Sequence, residues 1–317
     1  MKDLDPAALD CLAALVDQGS FDGAAGRLAI TQSAVSQRLR ALEALVGQRL
    51  VVRSRPLRLT EPGKVLLRYA RQTRALRADL ARELGMDTRA DERVPIAVNA
   101  DSLATWVLPA LDDLVKAGHG AGWGLELVVD DQDFTHDWLR EGAVLGCVST
   151  VRDALQGCRV VPLGVMTYVA VASADFVERH LPEGLTMANF PRLPFLVFNR
   201  KDDMQAQWVS RAFGVRAPRL RENHVPSSEA YVRAVEQGWG IGVAPEIQVR
   251  AAVRAGRLVV LQRKVQVPVA LYWHQWKLGR DADAPTSRAG LLDRIGHALV
   301  HGASRALATP PRHIEAP

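Results

Sequence analysis

Leu9, Leu12 and Val16 recur at the spacing of one helical face, and Pro6 suits the first turn of that helix. Gly19 breaks the pattern. Ser20 is then placed to cap a second, short helix whose apolar positions are Phe21, Ala24, Ala25 and Leu28. After the break Ala29-Ile30-Thr31, Thr31 is placed to cap a third helix to about Val46, with Val35, Leu39, Leu42 and Val46 turned inward. Gly47 ends it. Residues 50–53 and 57–60 read as two short strands about Ser54-Arg55-Pro56. Thr60-Glu61-Pro62-Gly63 opens a long helix to about Gly85. Its Leu66, Tyr69, Thr73, Leu76 and Leu80 alternate by three and four, a seam that calls for a partner helix, most simply from a second copy.

Residues 86–93 are polar and aperiodic, as in a hinge. Beyond them, short β-branched runs alternate with helical patterns. Strands are predicted at residues 94–98, 125–129, 145–148, 159–163, 165–171, 195–198, 241–244, 258–261 and 267–273. Helices are predicted at 103–115, 134–140, 205–213, 229–237 and 289–301. The alternation predicts an α/β body with largely parallel sheets.

A chain of 317 residues has room for about two domains at roughly 150 residues each. No run approaches ~18 consecutive apolar residues, so no membrane span is expected. The opening MKDLDPAALD lacks a signal pattern, so a cytoplasmic chain is expected. Cys11, Cys147 and Cys158 are too scattered for a disulfide framework or a paired-cysteine metal site and read as buried thiols. Charge changes the picture more. Residues 1–90 carry 15 Lys and Arg against 10 Asp and Glu, which leaves 25 of each in residues 91–317. Within residues 27–77 the count is 12 basic against 2 acidic, Glu43 and Glu61. A basic block on a neutral body suits a polyanion partner for the block.

The third helix says which polyanion. Its outward positions carry Gln32, Ser33, Ser36, Gln37, Arg38 and Arg40, beside the Thr31 cap. A short helix, a tight break and a second helix with amide, hydroxyl and guanidinium groups near its N-terminus make a helix-turn-helix suited to a major groove. Arg53, Arg55 and Arg58 on the hairpin would hold the adjacent backbone or minor groove as a wing. The alternative is a small helical bundle with a polar surface. An enzyme is not expected, because no nucleophile elbow, zinc-protease motif, phosphate loop or dinucleotide fingerprint occurs, and no cofactor is expected either. The glycines at 238, 240 and 242 read as a helix-to-strand turn, and Asp293, His297 and His301 as one polar helix row.

Residues 20–53, SFDGAAGRLAITQSAVSQRLRALEALVGQRLVVR, followed by LTEPG at 59–63, resemble the LysR-type transcriptional regulators. One departure is the wing opening, Leu50-Val51-Val52-Arg53, where that family carries Leu-Phe-x-Arg; valine still fills an apolar strand position. AVNADSLATWVLPAL (97–111), FNRKDDMQ (198–205), PSSEAYV (226–232) and LYWH (271–274) narrow the resemblance to the ArgP/LysG branch, regulators responding to lysine and arginine. The resemblance implies a winged helix-turn-helix over residues 1–60 and a linker helix and hinge over 61–92. It then implies a two-subdomain, periplasmic-binding-protein-like α/β effector domain over 93–303, with subdomain I at about 93–165 and 268–303 and subdomain II at about 166–267. Residues 304–317 are expected to be a disordered tail. The implied partners are double-stranded DNA, a basic amino acid and further copies of the chain, as a dimer or tetramer, with RNA polymerase a further candidate. A LysR-type regulator with another small-molecule effector stays open, and the body alone also fits a binding receptor.

A ligand between two such subdomains sits beyond strand ends and at helix starts. Asp101 and Ser102, Ser149 and Thr150, and Ser227, Ser228 and Glu229 occupy such places. A cationic side chain needs carboxylates. Asp130 and Asp131 follow one strand, with Asp133 beside them; Asp202 and Asp203 follow another, in the motif that Phe198 opens. The preferred assignment puts Asp130 or Asp131 on the side-chain cation and Asp203 on the α-ammonium. If the basic block is the nucleic-acid element, a fragment ending near residue 90 is retained on heparin or DNA and released steeply by salt. Absence of retention contradicts that reading and favours a receptor.

Overall fold

The computed structural model describes residues 4–52, 54, 57–84, 86, 92–121, 123–130, 135–277 and 288–309. The chain opens with α1 (Pro6–Gln18), α2 (Phe21–Leu28) and α3 (Gln32–Val46), then β1 (Val51–Val52), β2 (Arg58–Leu59) and α4 (Glu61–Glu83). Local chemistry sets these bounds. Asp5, Ser20 and Thr31 accept the N-terminal amides of α1, α2 and α3 through their side chains, and Gly19 and Gly47 close α1 and α3 in the left-handed conformation. Leu9, Leu12, Leu15, Ala24, Val35, Leu39 and Leu42 form one core with Leu50 and with Leu66, Leu67 and Ala70 of α4. An Arg71–Asp17 ion pair of 2.5 Å fastens α4 to α1. Gly63 is required by a close approach: a Cβ there would lie 2.0 Å from the Leu50 carbonyl oxygen.

The rest comprises β3 (Glu92–Asn99), α5 (Ala100–Ser102), a π turn (Leu103–Val107), α6 (Leu108–Ala121), β4 (Trp123–Asp130), α7 (Thr135–Arg140), β5 (Gly146–Ser149) and β6 (Cys158–Ser173). There follow α8 (Ala174–His180), β7 (Pro194–Val197), α9 (Met204–Phe213), β8 (Arg221–His224), α10 (Ser228–Glu236), β9 (Gly242–Pro245), α11 (Glu246–Arg254), β10 (Leu258–Val260), β11 (Val267–Trp276) and α12 (Arg288–Ala306). Seven strands share one sheet in the order β10-β6-β11-β5-β3-β4, with β9 also on β6. Parallel pairing is confined to β3–β4 and β3–β5 in this sheet and to β7–β8 in a small one. The expected largely parallel sheet is therefore corrected to a mixed one. The reason is that β6 leaves subdomain I and β11 returns to it, so the two lie antiparallel from Val267↔Tyr168 to Trp276↔Cys158. The far half of β6 pairs with β9 and β10. β6 thus belongs to both subdomains and holds them on one continuous backbone.

Two predicted strands, 159–163 and 165–171, are a single strand interrupted in pattern by Pro162 and Gly164. Pro162 sits where the register shifts between Leu271 and Tyr272, and Gly164 (φ 144°) lies under Leu307, whose Cβ would be 2.8 Å from an added methyl. The first residues of the expected tail are structured: α12 runs to Ala306, and Ala308 exchanges backbone hydrogen bonds of 3.1 and 2.9 Å with Val165. Residues 310–317 lie outside the described residues, as do 87–91 of the expected hinge. In the linker helix, Leu66 is buried in its own domain, while Tyr69, Leu76 and Leu80 remain 43, 52 and 55% exposed. The open seam therefore takes Val65, 55% exposed, in place of Leu66.

The linker helix also touches subdomain I. Lys64 pairs with Glu141 at 3.2 Å, and the Arg68 guanidinium lies 5.3 Å from the centre of the Trp276 ring. Below them, His136 and His274 are buried and meet edge to face at 5.1 Å. Burial first, then the facing His274, hold His136 down to about 4, and burial also lowers His274. The unfolded chain takes up these protons first, so the stability they contribute is full above pH 6.5 and is lost as pH falls towards 4. Urea midpoints are expected to fall from pH 6.5 to pH 5, and less so in His136→Leu. A midpoint that is flat across that interval contradicts the assignment.

Candidate functional site

Two surfaces carry candidate chemistry. On α3, Gln32, Ser33, Gln37 and Arg40 are exposed and Ser36 is half-buried, all on the side away from Val35, Leu39 and Leu42. Thr31 Oγ1 accepts the Ala34 amide at 3.2 Å and meets Ser33 Oγ at 2.9 Å, so its hydroxyl caps the helix. Arg38 is half-buried, with Nη1 3.9 Å from Cys11 Sγ on α1. Glu43, one of the two acids of the basic block, is occupied by the Leu50 amide at 2.9 Å, which leaves the outward face of α3 without a free carboxylate. Arg58 is exposed on β2; Arg53 and Arg55 lie outside the described residues.

The second surface is a small, partly open cavity between the subdomains. Subdomain I brings Asn99, Ala100 and Asp101 from the end of β3 and the start of α5, and β6 brings Tyr168. Subdomain II brings Phe198, Asp202, Met204, Gln205, Ser228, Tyr231, Gln248 and residues 243–245 of β9. Among the described residues its charged lining is two carboxylates, with no Lys, Arg or His beside them.

Each carboxylate is held differently. Asp202 folds back on its own turn and accepts the Phe198 amide at 2.9 Å, the Met204 amide at 3.0 Å and Gln205 Nε2 at 3.2 Å. Asp101 receives Ser228 Oγ at 2.6 Å and Tyr168 OH at 2.7 Å, so a single side chain joins α5 to α10 across the cleft. Gln248 Nε2 supports Ser228 from α11, donating to its Oγ at 3.0 Å. Burial raises the Asp101 carboxyl above its ordinary value and Asp202 adds to this, while the two hydroxyls oppose it. The Tyr231 phenol is pushed up by burial; it accepts the Val243 amide and donates to the Leu196 carbonyl, tying α10 to both neighbouring strands.

Of the residues expected at an effector, Asp101, Phe198, Asp202 and Ser228 come together in this cavity. Asp203 does not: it is exposed and accepts Gln207 Nε2 on its own helix at 2.8 Å. Ser227 caps α10 through the Ala230 amide, and Glu229 is exposed. Ser102 is buried beside the cavity with its Oγ unpaired, and Ser149 is buried with its Oγ accepting the Val151 amide at 3.2 Å. Thr150 is half-buried next to it. Asp131 and Asp133 lie outside the described residues; the backbone of Asp130 ends β4 opposite Asn99, and its side chain is not among those described. Sequence reasoning passed over Tyr168, Gln205, Tyr231 and Gln248. Their patterns read as ordinary strand and helix faces, and only the fold turns them to a common space.

Described residues give no group of three or more metal-ligating side chains, and no helix long and apolar enough to cross a membrane. All three cysteines are free and buried. Asp293 is engaged by Arg159 and Gln275 rather than standing in a free polar row.

Comparison with known proteins covers both surfaces. Residues 6–64 match the bacterial regulatory helix-turn-helix protein family of the lysR type, and residues 88–284 match the LysR substrate binding domain. The chain is 42% identical over 308 residues to the transcriptional regulator ArgP of Aeromonas salmonicida, covering 97% of this chain and 99% of that protein. Among solved structures, ArgP from Mycobacterium tuberculosis superposes with a TM-score of 0.82 at 40% identity, over 97% of this chain and 100% of the other. LysG from Corynebacterium glutamicum with bound effector Arg gives 0.73 at 35% identity, over 96% and 99%.

The two adjacent acids predict opposite behaviour. Asp202→Ala strands two amides and is expected to lower unfolding free energy by about 1–3 kcal/mol, whereas Asp203→Ala stays within about 0.5 kcal/mol. Urea unfolding of both variants checks this; equal losses would contradict the geometry.

Proposed function

Because the chain belongs to the LysR family of bacterial helix-turn-helix regulators, we propose that its cleft senses a basic amino acid, lysine or arginine, and through it governs DNA binding. The observation that carries the effector reading is the cavity's charged lining among the described residues: Asp101 and Asp202, with no cationic side chain beside them. Two enclosed carboxylates favour a ligand that brings positive charge and N–H donors. LysG with bound Arg, similar in fold over nearly the whole chain, supports the same class. This reading moves the assignment from Asp130 or Asp131 and Asp203 to two other expected acids, Asp101 and Asp202, on opposite walls.

On the DNA side, Gln32, Ser33, Ser36, Gln37 and Arg40 are assigned to base edges and phosphates, and Arg53, Arg55 and Arg58 to the flanking backbone. Thr31 shapes the helix start and Arg38 the packing behind it. The exposed Tyr69, Leu76 and Leu80 row of α4 supports pairing with a second copy, as a dimer or tetramer that presents paired heads. A regulator of this kind works where the chromosome is, which supports a cytoplasmic chain that controls genes of amino-acid export or metabolism. Effector binding shifts the balance between cleft states, and the contacts of Lys64 and Arg68 with subdomain I carry that shift towards the heads.

Calorimetric titration with lysine, arginine and leucine tests the effector. One or both basic amino acids bind saturably and leucine does not; equal binding of leucine, or of none, overturns the reading. For the DNA face, sequence selection with Gln37→Ala is expected to relax one base preference by about 1–3 kcal/mol, while Arg58→Ala weakens all sequences alike. Identical profiles for the two variants contradict the division.

A further inference from the structure

Asp101 stands in an unusual electrostatic position. Among the described residues, these elements reach the cavity around it. β6 brings Tyr168, the turn before α9 brings Asp202, α10 brings Ser228 and Tyr231, α11 brings Gln248, and β9 brings apolar residues and proline. The charged group that faces Asp101 across the cavity is therefore another carboxylate. Asp202 has three N–H donors of its own. Among the described residues Asp101 has none, and its two partners are hydroxyls, Ser228 Oγ at 2.6 Å and Tyr168 OH at 2.7 Å. A hydroxyl donates to an ionised carboxylate and equally accepts from a protonated one. Its two partners thus fit Asp101 in either state without a change of geometry. Burial first, and then the facing Asp202, raise the Asp101 carboxyl, and it has no N–H donor among the described residues to oppose this.

We infer that Asp101 exchanges a proton for the cationic group of the effector. This rests on the basic-amino-acid reading of the cavity. In the exchange the carboxyl O–H bond breaks, the proton leaves to solvent, and the ammonium or guanidinium of the ligand takes its place beside the carboxylate. The burial that raises the Asp101 carboxyl acts in the same direction. The bond to Ser228 spans the cleft, so the exchange sits on the contact that joins the two subdomains. Sensing then depends on pH as well as on ligand concentration, and the cleft answers to the cation only where the proton can be displaced.

Calorimetry of the full chain with arginine, from pH 4.5 to 8 in paired buffers of different ionisation enthalpy, tests this. Affinity is expected to rise with pH by up to about tenfold per unit and then level off, with protons released on the rising limb. Asp101→Asn keeps an acceptor for Ser228 and abolishes both the slope and the release; Asp202→Asn weakens binding but retains the slope. Infrared difference spectra of the unsubstituted protein read the same event without a variant: a protonated-carboxyl band disappears when arginine is added at the acid end. Flat affinity with equal heats in both buffers, or a slope that survives in Asp101→Asn, overturns the exchange. Failure of both arginine and lysine to bind at any pH overturns the basic-amino-acid reading itself, which is a different result.

Discussion

A carboxylate withdrawn from water must find a cation, a proton or enough hydrogen-bond donors, and this requirement organises the cleft. Asp202 meets it locally, by turning back onto the amides of Phe198 and Met204, and in doing so shapes the start of α9. Asp101 meets it at long range, through hydroxyls from β6 and α10. One acid builds subdomain II and the other spans the gap to it. The space they share carries an acid on each wall, and the function proposed for the protein follows from what such a space accepts.

The same cleft is mechanically connected to the rest of the molecule. β6 runs through both subdomains, and β11 returns beside it to end at Trp276. Trp276 receives Arg68 of the linker helix, and Lys64 one turn earlier reaches Glu141. The first turns of α4 are in turn part of the helix-turn-helix core through Leu66, Leu67 and Ala70. A change in the angle between the subdomains therefore has a continuous packed route to α3. Gly142 marks how close the contact is, since an added Cβ there would lie 2.8 Å from the Arg68 Cα.

Much of the N-terminal domain was legible in the sequence because local chemistry sets it. Ser20, Thr31, Gly19 and Gly47 are caps whatever the tertiary context, and the periodic positions Val35, Leu39 and Leu42 leave only one outward face. Arg38 shows the limit: at a helical position between the two faces, only the neighbouring α1 decides that it turns to Cys11. In the body, β8 (Arg221–His224) escaped notice because all four of its residues are exposed and polar, so no apolar alternation marks it. Asp202 and Asp203 are indistinguishable as letters, and a single turn sends one into the cavity and the other to solvent. The Asp101–Ser228 contact joins residues 127 apart in the chain, and no spacing rule reaches that far. The resemblance to regulators of basic amino acids did point to a cation, and the geometry names which acids stand ready for it.

The most direct test of this account is a crystal structure of the full chain grown with arginine. The account predicts the ligand between the subdomains, with its nitrogen atoms about 2.7–2.9 Å from the carboxylate oxygens of Asp101 and Asp202. Arginine bound elsewhere, or in the cleft with its cationic groups away from both carboxylates, would contradict it.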